Sequence, residues 1–198
     1  MTRIALLLVG AVAILVFAIV ILVIVPATSL EDITPSAKLK PYAGTVALGR
    51  LIYVREGCVY CHSQQVRDPA FTNDERRGWG RPSVMSDYAY DKPHLLGTMR
   101  TGPDLLNVAT RLPDRKWHLI HLYQPRLVAP WSVMPSFRYL FVVKDRADPL
   151  DEVVTLPSGQ APAGKLVVAT AEASALVDYL LSLDRSFPPA LSSVQKEP

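Results

Sequence analysis

Cys58-Val59-Tyr60-Cys61-His62 is the stretch on which the reading of this chain turns. C-x-x-C-H is the attachment signature of c-type haem, and the reason is geometric. Two thiols three residues apart on one helical turn reach both vinyl groups of a porphyrin. The histidine that follows is then set beneath the ring with its imidazole on the iron. Other uses of the two thiols predict other company. A structural zinc site needs a second pair of Cys or His ligands; the chain has two cysteines in all, and His94, His118 and His121 lack that pairing pattern. A thioredoxin-like dithiol sits at the head of a helix within a βαβ pattern, which is missing. A plain structural disulfide satisfies the spacing as well and stays open.

Upstream, Thr45 to Glu56 interleaves Val46, Leu48, Leu51, Ile52 and Val54 with polar residues. Ala47, Leu51 and Val54 share one face at helical spacing, which predicts a short amphipathic helix that Gly57 stops. Downstream, Ser63 to about Thr101 is rich in Gly, Pro, Arg and Asp and reads as loop with short helical pieces. Arg100-Thr101-Gly102-Pro103-Asp104-Leu105 follows. A carbonyl at this turn, held rigid by Pro103, can accept a hydrogen bond from Nδ1–H of His62 and fix its ring. Asp114 to Tyr123 reads as a helix, with Trp117, Ile120 and His121 recurring on one side. His118 and His121, one turn apart, read as a partly buried helix face rather than a metal pair.

Pro125 and Pro130 then force an extended segment onto Met134-Pro135-Ser136-Phe137. That segment would hold a thioether over the far face of the ring, so Met134 is preferred as sixth ligand over Met85, Met99 and the remaining histidines. His and Met together raise the reduction potential of a haem. Arg100, Arg111 and Arg126 are candidates to pair with its propionates. Val142 to Val168 reads as a hairpin-like insertion, and Thr170 to Leu183 as the clearest helix, with Leu176, Tyr179, Leu180 and Leu183 on its apolar face. A polar tail occupies 186–198.

Of the 198 residues 49% are hydrophobic, but they crowd at the N-terminus. Ile4 to Val25 is an unbroken apolar run, long enough to span a hydrocarbon core of about 30 Å. It is about twice as long as the roughly 7–15 apolar residues of a cleaved signal, so a retained anchor over 1–26 is expected, with a linker over 27–44. Arg3 lies before the run, and Glu31 and Asp32 are the first charges after it, which puts the N-terminus in the cytoplasm. The net charge of +3 comes without a basic stripe, which excludes a nucleic-acid footprint.

Several separated blocks also resemble, in order, the mono-haem cytochrome c subunit (subunit II) of cbb3-type cytochrome c oxidases, the CcoO or FixO family. They are Gly49-Arg50-Leu51-Ile52-Tyr53-Val54-Arg55-Glu56-Gly57-Cys58-Val59-Tyr60-Cys61-His62-Ser63-Gln64-Gln65-Val66-Arg67, Arg100 to Leu105, Trp117-His118 with Pro125-Arg126, and Met134 to Phe137. The resemblance covers roughly 45–140. It implies a mainly α protein, in which one N-terminal transmembrane helix precedes a class I-like cytochrome c domain with loop-rich insertions. That domain would occupy 45–185, with 142–168 inserted.

One covalent haem c would hang on Cys58 and Cys61, with His62 and Met134 on the iron. The domain would sit on the periplasmic side of a bacterial inner membrane, docked on a haem–copper catalytic subunit. It would pass electrons there from another cytochrome c, without being a catalyst itself. The resemblance also implies a calcium ion where the cytochrome meets that subunit, with Gly80 to Ser83 the place to look. Rival readings are the cytochrome c subunit of a nitric oxide reductase and a free membrane-anchored electron shuttle.

Overall fold

Side chains that are apolar all round leave a helix no face to hide, and Ile4 to Val25 are of that kind. The computed structural model of the chain describes residues 2–31, 33–36 and 38–189. Its backbone begins with α1 (Thr2–Ile19), widens into a π-turn at Val20–Ile24, and resumes as α2 (Val25–Glu31). Pro26 has no N–H for the carbonyl of Leu22, and its ring crowds that carbonyl. The chain relieves this one turn earlier, where the Val25 N–H reaches back five residues to the Val20 carbonyl. The expected linker over 27–44 is therefore helical as far as Glu31. Thr2–Thr28 is a helix of 27 residues, long and apolar enough to cross a membrane, with an 18-residue stretch whose mean hydropathy is 3.5.

The contacts divide the chain into two units, Met1–Ala37 with Val84–Ala89 and Pro189–Pro198, and Lys38–Ser83 with Tyr90–Pro188. The expected tail lies outside the described residues from 190 onward.

The second unit is built on the crossing of α3 (Gly44–Arg55) with α6 (Ala171–Ser182). Thr170 caps α6 by accepting from the Ala173 N–H at 3.3 Å, and Glu172 adds an acid to its first turn. Leu176, Tyr179, Leu180 and Leu183 are all buried, as their spacing demands.

The buried face of α3 differs from the expected one. Gly49, Ile52 and Tyr53 are buried, while Leu51 is 66% exposed. Gly49 is the cause. A Cβ there would collide with the Ala175 carbonyl oxygen and stand 2.8 Å from Tyr179 Cβ. The absence of a side chain lets the two backbones meet and turns that side of α3 inward. Tyr53 and Tyr42 then pack on Tyr179 at ring-centroid distances of 5.4 and 5.6 Å, and the Tyr179 hydroxyl donates to Gln64 Oε1 at 3.0 Å.

A short helix α4 (Val108–Arg111) leads to α5 (Arg115–Tyr123), which Asp114 caps by accepting from the Lys116 N–H at 2.9 Å. After it, β1 (Phe141–Lys144), β2 (Glu152–Val153) and β3 (Leu166–Ala169) form an antiparallel sheet in the order β1-β3-β2, with Phe141 opposite Ala169. The expected hairpin thus carries a third strand. Arg115 joins sheet to helices through 2.5 Å contacts with Glu152 on β2 and Asp178 on α6. These groups are about a third exposed, so the pairs add modestly to stability.

Candidate functional site

Gly57 ends α3 with a left-handed turn at φ 72°, a conformation that suits glycine, and the chain re-enters a 3-10 turn over Cys58–Tyr60. Cys58, Cys61 and His62 are thereby turned into one cavity of about 610 Å³ with a mostly apolar wall, within the range of roughly 300–1,000 Å³ usual for small-molecule sites. Both cysteines are free thiols, Cys58 half-buried and Cys61 exposed. Burial pushes the Cys58 thiol up to about 12.

His62 is held from behind. Residues 96–105 run beside 61–65, with the Gly102 N–H donating to the Cys61 carbonyl at 2.9 Å and the Leu105 N–H to the Ser63 carbonyl at 2.8 Å. This brings the Pro103 carbonyl oxygen within 2.7 Å of His62 Nδ1. A carbonyl only accepts, so Nδ1 carries the proton and Nε2 keeps its lone pair. The ring lies against Gly102, where a Cβ would collide with Cε1 and come within 2.7 Å of both ring nitrogens. Burial lowers the imidazole's pKa and keeps it neutral, the ligating form.

Asp104, completely buried, locks this turn. Its carboxylate accepts from Ser63 Oγ at 2.6 Å and from the Gln65 and Leu106 N–H groups at 2.7 and 2.9 Å. Sequence reading quoted Asp104 but gave it no role.

Met134 lines the same cavity, its N–H donating to Ser132 Oγ at 3.2 Å. Met85 and Met99 are exposed. His118 and His121 also belong to the wall. His118 Nε2 lies 2.8 Å from the Leu112 carbonyl, and His121 stacks on Trp117 at 4.6 Å. Burial, helped by His118 and His62, takes His121 down to about 4.

The three candidate arginines separate. Arg100 lines the cavity, but its guanidinium is engaged by Asp74, by Ser63 Oγ at 3.0 Å and by the Gln65 carbonyl at 2.6 Å. Arg126 is exposed on the Pro125–Leu127 turn and is not among the residues that line the cavity. Arg111 lines the cavity, donates to the Asp104 carbonyl and keeps Nε buried without a partner.

A mostly apolar cavity, two free thiols, a histidine with its Nε2 lone pair free, and orphaned nitrogens on Arg111 and His121 fit a haem. Gly80–Ser83 carries Arg81, whose guanidinium donates to the Phe187 and Pro82 carbonyls. Among the described residues no group of three or more His, Cys, Asp or Glu side chains is placed to hold a metal ion.

Compared with known families, residues 1–175 match the one described as Cytochrome C oxidase, mono-heme subunit/FixO. No curated protein matches the chain.

Proposed function

The chain belongs to this family of mono-haem cytochrome c oxidase subunits, and from that premise we propose that it is a membrane-anchored cytochrome c of a cbb3-type oxidase. It passes electrons from a donor cytochrome to the haem–copper subunit where oxygen is reduced. The observation that carries this reading is the gathering of Cys58, Cys61, His62 and Met134 in the wall of one apolar cavity.

Cys58 and Cys61 would hold the haem through thioether links, with His62 Nε2 and the Met134 thioether on the iron. Bound there, haem supplies a one-electron couple. The chain's own residues do the rest. Pro103 fixes the His62 ring and raises its basicity, the apolar wall limits water, and a methionine ligand favours a high potential. The class I-like cytochrome fold is supported by the α3–α6 crossing beside the cysteine pair. The apolar N-terminal helix, with Arg3 before it, supports a single-pass anchor whose haem domain faces the periplasm.

The test is purification from membranes with identification of what comes along. A haem that survives acid–acetone extraction, in a complex with a polytopic subunit that consumes oxygen, is the expected result. Nitric oxide consumption by that subunit in place of oxygen would move the chain to a nitric oxide reductase. Isolation as a monomer would make it a free shuttle.

A further inference from the structure

Three tyrosines form a file that leads out of the cavity. Tyr53 lines the cavity and is fully buried. Its ring centroid stands 5.4 Å from that of Tyr179, also fully buried, and Tyr179 stands 5.6 Å from Tyr42. Tyr42 is half-buried, so the file runs from the cavity wall towards solvent. Packing alone would account for three rings, but not for the order in which their hydroxyls meet proton acceptors. The Tyr53 and Tyr179 hydroxyls face the side-chain amide of Gln64, which does not take up a proton. The Tyr42 hydroxyl accepts from Arg185 Nη2 at 3.0 Å and is hydrogen-bonded to the buried carboxylate of Asp91. Burial pushes that carboxyl above its ordinary range and makes it a better base. Arg50 Nε stands 3.5 Å from Asp91 Oδ1, and its guanidinium carbon lies 5.6 Å from the Tyr42 ring centroid.

A phenol gives up an electron readily when its proton can leave to a base within hydrogen-bond reach, and Tyr42 meets that condition. The cation beside its ring opposes a positive charge there, so the proton goes with the electron. The couple of a His/Met haem is far too mild to oxidise a phenol, and ordinary electron transfer leaves the file idle. Hydrogen peroxide, a partial reduction product of oxygen, is a strong enough oxidant. We propose that Tyr53, Tyr179 and Tyr42 form an escape route that carries oxidising equivalents from a haem attacked by hydrogen peroxide to Tyr42, where Asp91 takes the proton. This rests on the haem reading above. In balance, one peroxide and two phenol oxidations give two waters and two neutral tyrosyl radicals. The O–O bond breaks, and each electron passes inward along the rings. Each phenolic proton leaves through Asp91 to solvent, which supplies the protons that the two waters take up. Ascorbate, or another donor of one electron and one proton in solution, then restores Tyr42.

The full-length, haem-loaded protein is treated with hydrogen peroxide and a nitroso spin trap, and the adducts are located by peptide mass spectrometry. Freeze-quench EPR follows the radicals in parallel. The wild type is expected to carry its main tyrosine adduct on Tyr42. Y179F leaves Tyr42 in place but interrupts the file, so the Tyr42 adduct should fall at least several-fold. D91N removes the base and should lower it likewise, which keeps the test decisive if Y179F fails to fold. Y139F, which changes an exposed tyrosine outside the file, should leave it unchanged. With ascorbate present, peroxide should bleach the haem several-fold faster in Y42F than in the wild type. A wild-type level of Tyr42 adduct in Y179F and D91N would mean direct attack from solution and overturn the proposal, as would a wild type with no Tyr42 adduct. A wild-type chain without covalent haem would instead sink the haem reading beneath it.

Discussion

His62 Nδ1 and the Pro103 carbonyl oxygen stand 2.7 Å apart, and the ring between them has Gly102 as its back wall. The ring can keep this hydrogen bond only while position 102 carries no side chain. Gly102→Ala puts a Cβ into Cε1, so the ring must swing away and release Pro103. The expected result is weaker iron ligation, by about 10–100-fold where such supporting bonds are lost, read as a high-spin fraction in the visible spectrum. A low-spin spectrum like that of the wild type would show that the ring does not need this wall.

Met134 is the methionine in the cavity wall, where Met85 and Met99 are exposed. Met134→Leu conserves volume, costing less than about 1.5 kcal/mol in packing, and removes the sulfur. The protein should still fold and carry haem, lose the iron–sulfur charge-transfer band and fall in reduction potential. The band persisting in this variant would pass the ligand role to another side chain.

What could be read in the sequence was what local chemistry decides. The stop at Gly57 and the apolar stripe Leu176-Tyr179-Leu180-Leu183 follow from rules spanning one or two turns. The histidine's carbonyl partner was also legible, because a Gly-Pro turn has few ways to present its oxygen. The inward face of α3 was not. With Val46, Leu48, Leu51, Ile52 and Val54 spread round the helix, periodicity has no clear winner, and the deciding residue is Gly49, which hydrophobicity passes over. The arginines were illegible for a related reason. Arg100, Arg111 and Arg126 look alike in sequence, and only the turns that carry them decide which is braced by Asp74, which is left with a bare Nε and which faces solvent. The helix runs on past the anchor's expected end at 26, since a π-turn absorbs Pro26.

Asp74 and Arg100 should set part of the acid limit of stability. Burial alone would raise the Asp74 pKa, but the Arg100 guanidinium and the Arg67 N–H at 2.8 Å outweigh it and hold the carboxyl below its ordinary value. A group depressed in the folded state stabilises it above its unfolded pKa of about 3.9, and the contribution is lost as pH falls through the folded value. Asp74→Asn should therefore cost about 3 kcal/mol at pH 7, where Arg100 loses a buried partner. The deficit should shrink as pH falls below about 4, where the unfolded chain's carboxyl takes up its proton, and on through the lower folded value, where the native one does. Urea melts of both proteins from pH 7 to 3 would show converging curves. A constant difference would mean that the pair carries no pH-dependent stability.

Ile52 and Leu51 are neighbours on α3 with opposite surroundings, 1% and 66% exposed. If Gly49 sets the inward face, Ile52→Ala should cost about 2–5 kcal/mol and Leu51→Ala little, as measured by urea unfolding of the isolated chain. Gly49→Ala should cost about 3 kcal/mol, the upper end of overpacking, because the atom it meets is the Ala175 backbone carbonyl and cannot rotate aside. At about 2–4 °C per kcal/mol for a chain of this size, the last change corresponds to a Tm lower by roughly 6–12 °C. The reverse pattern, with Leu51→Ala costly and Ile52→Ala mild, would restore the face that hydrophobic spacing alone suggests and remove Gly49 from its position at the crossing.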